Sequence, residues 1–498
     1  MKKKDFFKNI ISGFGGQLIV IILGVIIPRV MITSYGSDAN GLVSTTTQIF
    51  SYLALLEAGI GQSARVALYK PIACNNKEEI SSVVLSAESY FRRITYYYGL
   101  GVIVLSAIIP FVIKSELSHL TILLVFLLEG MSGVISFYFI QTPTVLLNAD
   151  GKGYVNNSIN LVNKILGYLS KIILAYFGIS IVLIQFVFFL ITLIKVIFYR
   201  LYIRKKYYWI ENEKGKPDYS ILKDKNSYLL TEIAWTIFSS TDMIVLSLFI
   251  STKLSSVYSV YNLIYSNINL LLNAVAGSIL YVLGQVYHRS IKEYEDVHDS
   301  MNTVFIGSIT ILVSVSYILT IPFIKLYTNG VSDVKYVYEQ LPLMFAMVQL
   351  LSWSRYVNGN LTALGGYAKS TSYISLVEAI VNVVLSIVLV NKFGIVGVLI
   401  ATVLALPVKV LWCIYISDKI ILNRSYKKTV IITGSNYLFF FAVVFLNRFL
   451  HMDILSYGAF AFKGFLTAAV IGVMGVGLNI LVNRNCLSVM KKYIFKRE

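Results

Sequence analysis

About fourteen apolar stretches, each long enough to cross a bilayer, follow one another from Ile10 to Leu481. No other feature constrains the fold so tightly. Inside hydrocarbon every backbone N–H and C=O must find a partner within protein, which stretches of this length do by becoming helices. The chain therefore reads as an all-α polytopic membrane protein. Hydrophobic residues make up 57% of it and the mean hydropathy is +0.73, well above the soluble range. The longest polar connection, Lys205 to Asn226 with its ENEKGKPD stretch, is too short to fold alone. A separate soluble catalytic domain is not expected.

A formal charge of +18 invites a nucleic-acid reading, but the placement of the charges argues against it. Lys2, Lys3, Lys4 and Lys8 precede the first span. Arg200, Arg204, Lys205, Lys206, Lys214, Lys216, Lys223 and Lys225 follow the sixth. Further groups follow the twelfth span and close the chain, whereas the turns Tyr35 to Asn40 and Gly178 to Ser180 carry no Lys or Arg. Basic residues on alternate sides mark the cytoplasmic face, and here they place both termini in the cytoplasm. Membrane lipids with anionic head groups are natural partners for such a face; nucleic acid is not. The basic-then-apolar start resembles a signal peptide, yet no small-residue cleavage site follows, so a retained first helix is expected. Cys74, Cys413 and Cys486 have no pairing or metal spacing.

The chain also repeats itself. The segment LLNADGKGYVNNSINLVNKI from Leu146 matches NLTALGGYAKSTSYISLVEAI from Asn360, with LVNKI at Leu161 on LVEAI at Leu376. The turn Phe177-Gly178-Ile179 matches Phe393-Gly394-Ile395, and Lys195 matches Lys409. The offset stays at 213 to 216 residues across these landmarks, which shared hydrophobicity alone does not produce. Six spans per repeat is an even number, so the halves enter the membrane in the same sense and form a parallel repeat. The expected layout is an N-lobe over 1–202, a basic linker over 203–226, a C-lobe over 227–420, and two extra spans with a basic tail over 421–498. Two such lobes would enclose a cleft and rock to give alternating access.

Charges at membrane depth are expensive and mark function or a tight ion pair. Arg29 in the first span and Asp242 in the seventh occupy similar places in repeat-related helices and could meet. Glu57, mid-way along the second span, precedes Arg65 on roughly the same face, and Glu129 lies in the fourth span. A lone buried carboxylate can carry a coupling proton or be neutralised for structural reasons. Lys164 and Lys171 in the fifth span and Arg355 in the tenth suit an anionic ligand such as a diphosphate. Lys195 and Lys409, near the cytoplasmic end, are expected to snorkel to water. Asn262, Asn267, Asn269 and Asn273 form a polar stripe, for a wet path or for interhelical bonding. His288, Glu293, Glu295, Asp296 and His298 read as a solvated loop without metal spacing. No phosphate-binding loop, nucleophile elbow or zinc-protease motif appears in a usable context, so neither an ATPase nor another enzyme is expected.

With these residues in view, the chain resembles the polysaccharide transporter family within the MATE-like superfamily of exporters and flippases. The likeness rests on Arg29, the passage YGSDANGLVSTTTQIFSYLALLEAGIGQS, the Asp242 passage IAWTIFSSTDMIVLS, the NADGKGY/TALGGY pair and the layout of spans. It implies a flippase in a bacterial inner membrane that moves undecaprenyl-diphosphate-linked oligosaccharide of the O-antigen or capsule type. It implies a cationic cavity, for which Arg29, Arg65, Lys164 and Arg355 are the candidates, and an H+ or Na+ gradient acting through Glu57, Glu129 or Asp242. No cofactor is implied beyond that ion, and polysaccharide polymerase or assembly proteins are conceivable partners. A multidrug exporter or a flippase of peptidoglycan lipid precursor remain alternatives. A membrane polymerase or ligase would need a sizeable outer loop, and none is evident.

Overall fold

The computed structural model describes residues 3–57, 60–211, 225–449 and 454–492, so most of the stretch 203–226 lies outside the described residues. Those residues are helical with no strand. In chain order the helices are α1 (Lys3–Ala54), α2 (Ile60–Ala73), α3 (Lys77–Val112), α4 (His119–Phe139), α5 (Gln141–Ala149), α6 (Gly153–Tyr176), α7 (Ile181–Lys206) and α8 (Lys225–Phe249). They continue as α9 (Thr252–Arg289), α10 (Ile291–Tyr327), α11 (Leu341–Ser354), α12 (Tyr356–Leu364), α13 (Ala368–Tyr415), α14 (Lys427–Asn447), α15 (Tyr457–Val482) and α16 (Cys486–Met490). Nine are long and apolar enough to span a membrane among the described residues. Two of these, α1 and α13, are each a pair of helices joined at a glycine with positive φ, Gly36 and Gly394. With both halves counted, and with α6, α9 and the α11–α12 pair, the expected fourteen crossings are accounted for. Large apolar side chains such as Leu100, Phe111, Leu438, Phe465 and Val473 face outward, as a lipid-facing surface requires. The chain is a multi-pass membrane protein.

The repeat seen in the sequence recurs as matched interruptions of the backbone. Helix α4 breaks into α5 at Ile140, and α11 breaks into α12 at Arg355. Gly151 and Gly366 both take positive φ, 70° and 87°, as do Gly178 and Gly394, at 66° and 57°. The sequence match at Phe-Gly-Ile therefore encodes a turn that only glycine makes without strain. At Gly394, with ψ at −134°, a side chain is disfavoured however much space surrounds it. Gly394→Ala should cost about 1–3 kcal/mol in a denaturation series in detergent. Gly434→Ala, in the body of α14 with open space around it, should be neutral or slightly stabilising.

The chain divides into two compact units, Met1–Ser256 and Val257–Glu498. The division falls one helix later than the basic linker expected at 203–226, because α8 packs along α1 and is tied to it by polar pairs. Ser51 and Ser240 lie 2.9 Å apart, Tyr52 and Thr241 2.5 Å, Thr45 and Ser247 2.6 Å, and Asn40 donates to Ser256 at 2.8 Å. Just past the Gly36 kink, Asp38 accepts from Ser115 Oγ and Glu116 N, both at 2.8 Å, and from Thr252 Oγ1. One carboxylate thus holds the kink, the α3–α4 loop and the start of α9 together. In the second unit, α14 and α15 lie outside the repeat and pack on α10 through Ile318, Val443 and Ile471.

The second span is not one continuous helix. It breaks at Leu55–Glu57, where each N–H bonds three residues back (Glu57 N to Ala54 O, 3.1 Å) and tightens the turn. Glu57 and Arg65 therefore do not share one helical face. Nor is 293–298 a solvated loop. Ser290 caps α10 by accepting from Glu293 N at 3.4 Å, so these residues form the first turns of a helix, and His298 is fully buried.

Candidate functional site

Within the first unit, α1, α3, α4, α6 and α7 enclose a cavity of about 250 Å³ lined by Thr47, Phe50, Tyr98, Glu129, Ser132, Ser136, Asn163, Thr192 and Lys195 among others. Helix α4 supplies Glu129, Ser132, Gly133 and Ser136 at intervals of three and four residues, which is one helical face. Gly133 is a requirement of the lining, since a Cβ there would run into the Tyr98 hydroxyl. Glu129 accepts from Gln185 of α7 at 3.2 Å. It is near enough for its charge to act on Lys171, whose buried ammonium lies 4.4 Å from the centre of the Phe188 ring.

Lys195 sits on the same helix as Gln185, about 15 Å further along it. Lys195 is half-buried in the wall and does not extend to the end of its helix. It is close enough to Lys164 of α6 for the two positive charges to oppose each other. Neither ammonium has a carboxylate at ion-pair distance among the described residues. Asn163, which lines the cavity with Lys195, presents a buried Oδ1 with no hydrogen-bond partner. A lysine without a counter-anion and an amide oxygen without a donor in one cavity wall form an arrangement that an anionic ligand carrying hydroxyl groups would complete.

The other expected site residues lie elsewhere. Glu57 accepts from Gln141, the first residue of α5, at 2.6 Å, and Arg65 of α2 has a buried Nε without a hydrogen-bond partner. Arg29 is half-buried in α1 and Asp242 buried in α8. Arg355 is in the second unit, where it is committed: its Nη1 lies 2.5 Å from Glu378 Oε1, and both side chains are almost fully buried. Glu378 carries no charge signal of its own in the sequence beyond sitting in the LVEAI half of the repeat. Two asparagines of the α9 stripe donate within their own helix, Asn267 to Leu263 O and Asn273 to Asn269 O, both at 2.8 Å. Asn269 serves Trp353 at 2.6 Å.

No family model and no curated protein matches the sequence. Solved structures do match. An inward-facing multidrug-resistance MATE family transporter of the MOP superfamily superposes with a TM-score of 0.65 at 14% identity, over 79% of this chain and 93% of its own. The lipid II flippase MurJ in an inward closed conformation also gives 0.65 at 14%, over 98% and 100%. A MOP superfamily transporter from Pyrococcus furiosus gives 0.56 at 13%, over 85% and 97%. The fold is that of the MATE transporters and of this flippase.

Proposed function

We propose that the protein is a flippase that carries undecaprenyl-diphosphate-linked oligosaccharide, of the O-antigen or capsule type, from the inner to the outer leaflet of a bacterial cytoplasmic membrane. The observation that carries this reading is Lys195 in the wall of a hydroxyl-rich cavity with no carboxylate at ion-pair distance among the described residues, and with Lys164, exposed on α6, near enough for its positive charge to act on it. Two phosphate charges and a sugar cannot cross hydrocarbon without a lined path. Ammonium groups replace the hydration of the diphosphate, while Ser132, Ser136, Thr47 and Thr192 offer hydrogen bonds to sugar hydroxyls and the Phe50 and Tyr98 rings offer flat apolar faces. The prenyl chain stays in lipid. Arg29 and Arg65 are the further cationic candidates in the first unit, Arg355 being paired with Glu378, and Glu57, Glu129 and Asp242 are the groups through which H+ or Na+ would couple to transport. Both termini lie in the cytoplasm in this reading.

Loss of the protein should leave lipid-linked oligosaccharide on the cytoplasmic leaflet, scored with an impermeant probe, and should abolish surface polysaccharide. Normal export would overturn the reading. Lys164→Ala with Lys195→Ala should lower export at least about tenfold, since a charge-assisted hydrogen bond contributes about 1.5–3 kcal/mol, at unchanged membrane levels of the protein. One observation favours a second reading, export of organic cations: Glu129 is the one carboxylate in the cavity wall among the described residues. In that case Glu129→Gln abolishes drug efflux and the double lysine variant does not.

A further inference from the structure

The duplicated helices allow the two units to be compared position by position. Asn163 of LVNKI corresponds to Glu378 of LVEAI, and Lys195 to Lys409. The helix junction at Ile140 corresponds to that at Arg355. The same scaffold positions thus carry different charge arrangements. In the first unit a neutral amide with an unbonded Oδ1 lines the same cavity as Lys195. In the second a carboxylate stands in the amide's place, bound to Arg355 at 2.5 Å and close enough to Lys409 for their charges to act on each other. Cys413, one helical turn beyond Lys409, lies in the same charged neighbourhood and is buried. Glu378 is therefore the one anion among two cations, at the position where the first unit has none.

We propose that Glu378 is a built-in counter-anion, occupying in the second unit the place that a phosphate group takes in the first, so that the duplicated fold has one open anion site and one filled from within. This rests on the anion-binding reading of the first unit. A carboxylate and a phosphate oxygen make the same bonds to guanidinium and ammonium groups. The site is thereby satisfied at all times, and Arg355 is withheld from the substrate. The substrate's diphosphate is accordingly gripped by one unit only.

The test uses the purified full-length chain in detergent with farnesyl diphosphate as probe, bound equivalents being counted by calorimetry and native mass spectrometry. The variants are Glu378→Asn, which installs the first unit's residue, and Glu378→Gln, which keeps the shape and a hydrogen bond to Arg355. Wild type should bind one equivalent, lost in Lys195→Ala. Glu378→Asn should bind two, the second disappearing when Arg355→Ala is added. Monodisperse elution and a cooperative melt qualify each variant, and Glu378→Gln decides the matter should the Asn variant unfold. One equivalent in both Glu378 variants, still dependent on Lys195, would overturn the built-in counter-anion and leave the first-unit site standing. No binding to wild type with one Arg355-dependent equivalent in Glu378→Asn would uphold Glu378's role and overturn the first-unit site. No binding to any variant would overturn both.

Discussion

Arg424→Gln should destabilise the protein by about 3–5 kcal/mol. The guanidinium is a hub. Its Nη2 and Nη1 reach Asp299 at 2.5 and 3.0 Å, and its Nε reaches Asp418 at 2.8 Å. Both carboxylates are buried, and while Asp418 Oδ1 accepts from Arg424, its Oδ2 has no hydrogen-bond partner among the described residues. Burial alone would lower the guanidinium's pKa, but the bonds and charges of Asp299 and Asp418 outweigh it and hold the group above its usual value. Ser417 donates to Asn358 O at 2.9 Å and His298 Nε2 meets Asn358 Oδ1 at 3.1 Å. The network therefore fastens α10, α12, the π-helical segment Ile416–Ile421 and the link into α14. Removing the hub strands two carboxylates away from water, with Lys428, 2.8 Å from Asp299 and half-exposed, and His298 Nδ1, 3.4 Å from Asp299, left to compensate. Lys428→Ala itself should cost less than about 1 kcal/mol, as exposed pairs do. Adding Asp418→Asn to Arg424→Gln should recover part of the loss. A denaturation midpoint for Arg424→Gln within experimental error of wild type would show that the hub is replaced by water or lipid contacts.

This network also shows where sequence reasoning stops. The run from Glu293 to His298 looks like a charged loop by composition. The helix signal was present, since Ser290 followed three residues later by Glu293 is the pattern of a helix start, yet nothing local shows that His298 and Asp299 point inward. Their partners Asn358 and Arg424 are more than fifty residues away in sequence. The membrane class and the repeat were legible for the opposite reason. Span length follows from bilayer thickness, and the Gly178 and Gly394 turns need the same residue type in both copies. Depth was legible only in part. Lys195 counts as near a helix end along the chain, but which face of α7 carries it decides whether it reaches water, and that face lines the cavity. Glu57 was placed by periodicity on an unbroken helix, and the tight turn at Leu55–Glu57 removes the register on which that placement depended.

Arg355→Met should lower stability by about 3–5 kcal/mol and be rescued in large part by adding Glu378→Leu. Taken alone, an arginine in the tenth span beside Asn358 and Asn360 reads as a cavity residue waiting for an anion. The structure gives it a partner at 2.5 Å, with side-chain exposures of 12% for Arg355 and 3% for Glu378. Withdrawing the guanidinium leaves a buried carboxylate facing only Lys409, and desolvation of an unpaired charge is what makes half of a buried pair so costly to remove. Withdrawing both halves removes the two desolvation penalties together, which is why replacing a buried pair with apolar side chains is often neutral or better. Lys409 sets the limit of the rescue, because it loses the carboxylate that offsets its own charge. A double-mutant cycle on unfolding free energies in detergent measures the coupling. A value of about 2 kcal/mol or more fits a pair that is closed in the resting protein. Coupling near zero, with export lost in Arg355→Met at unchanged stability, would instead make Arg355 an open cavity cation, and Glu378 would then no longer explain why the two units differ.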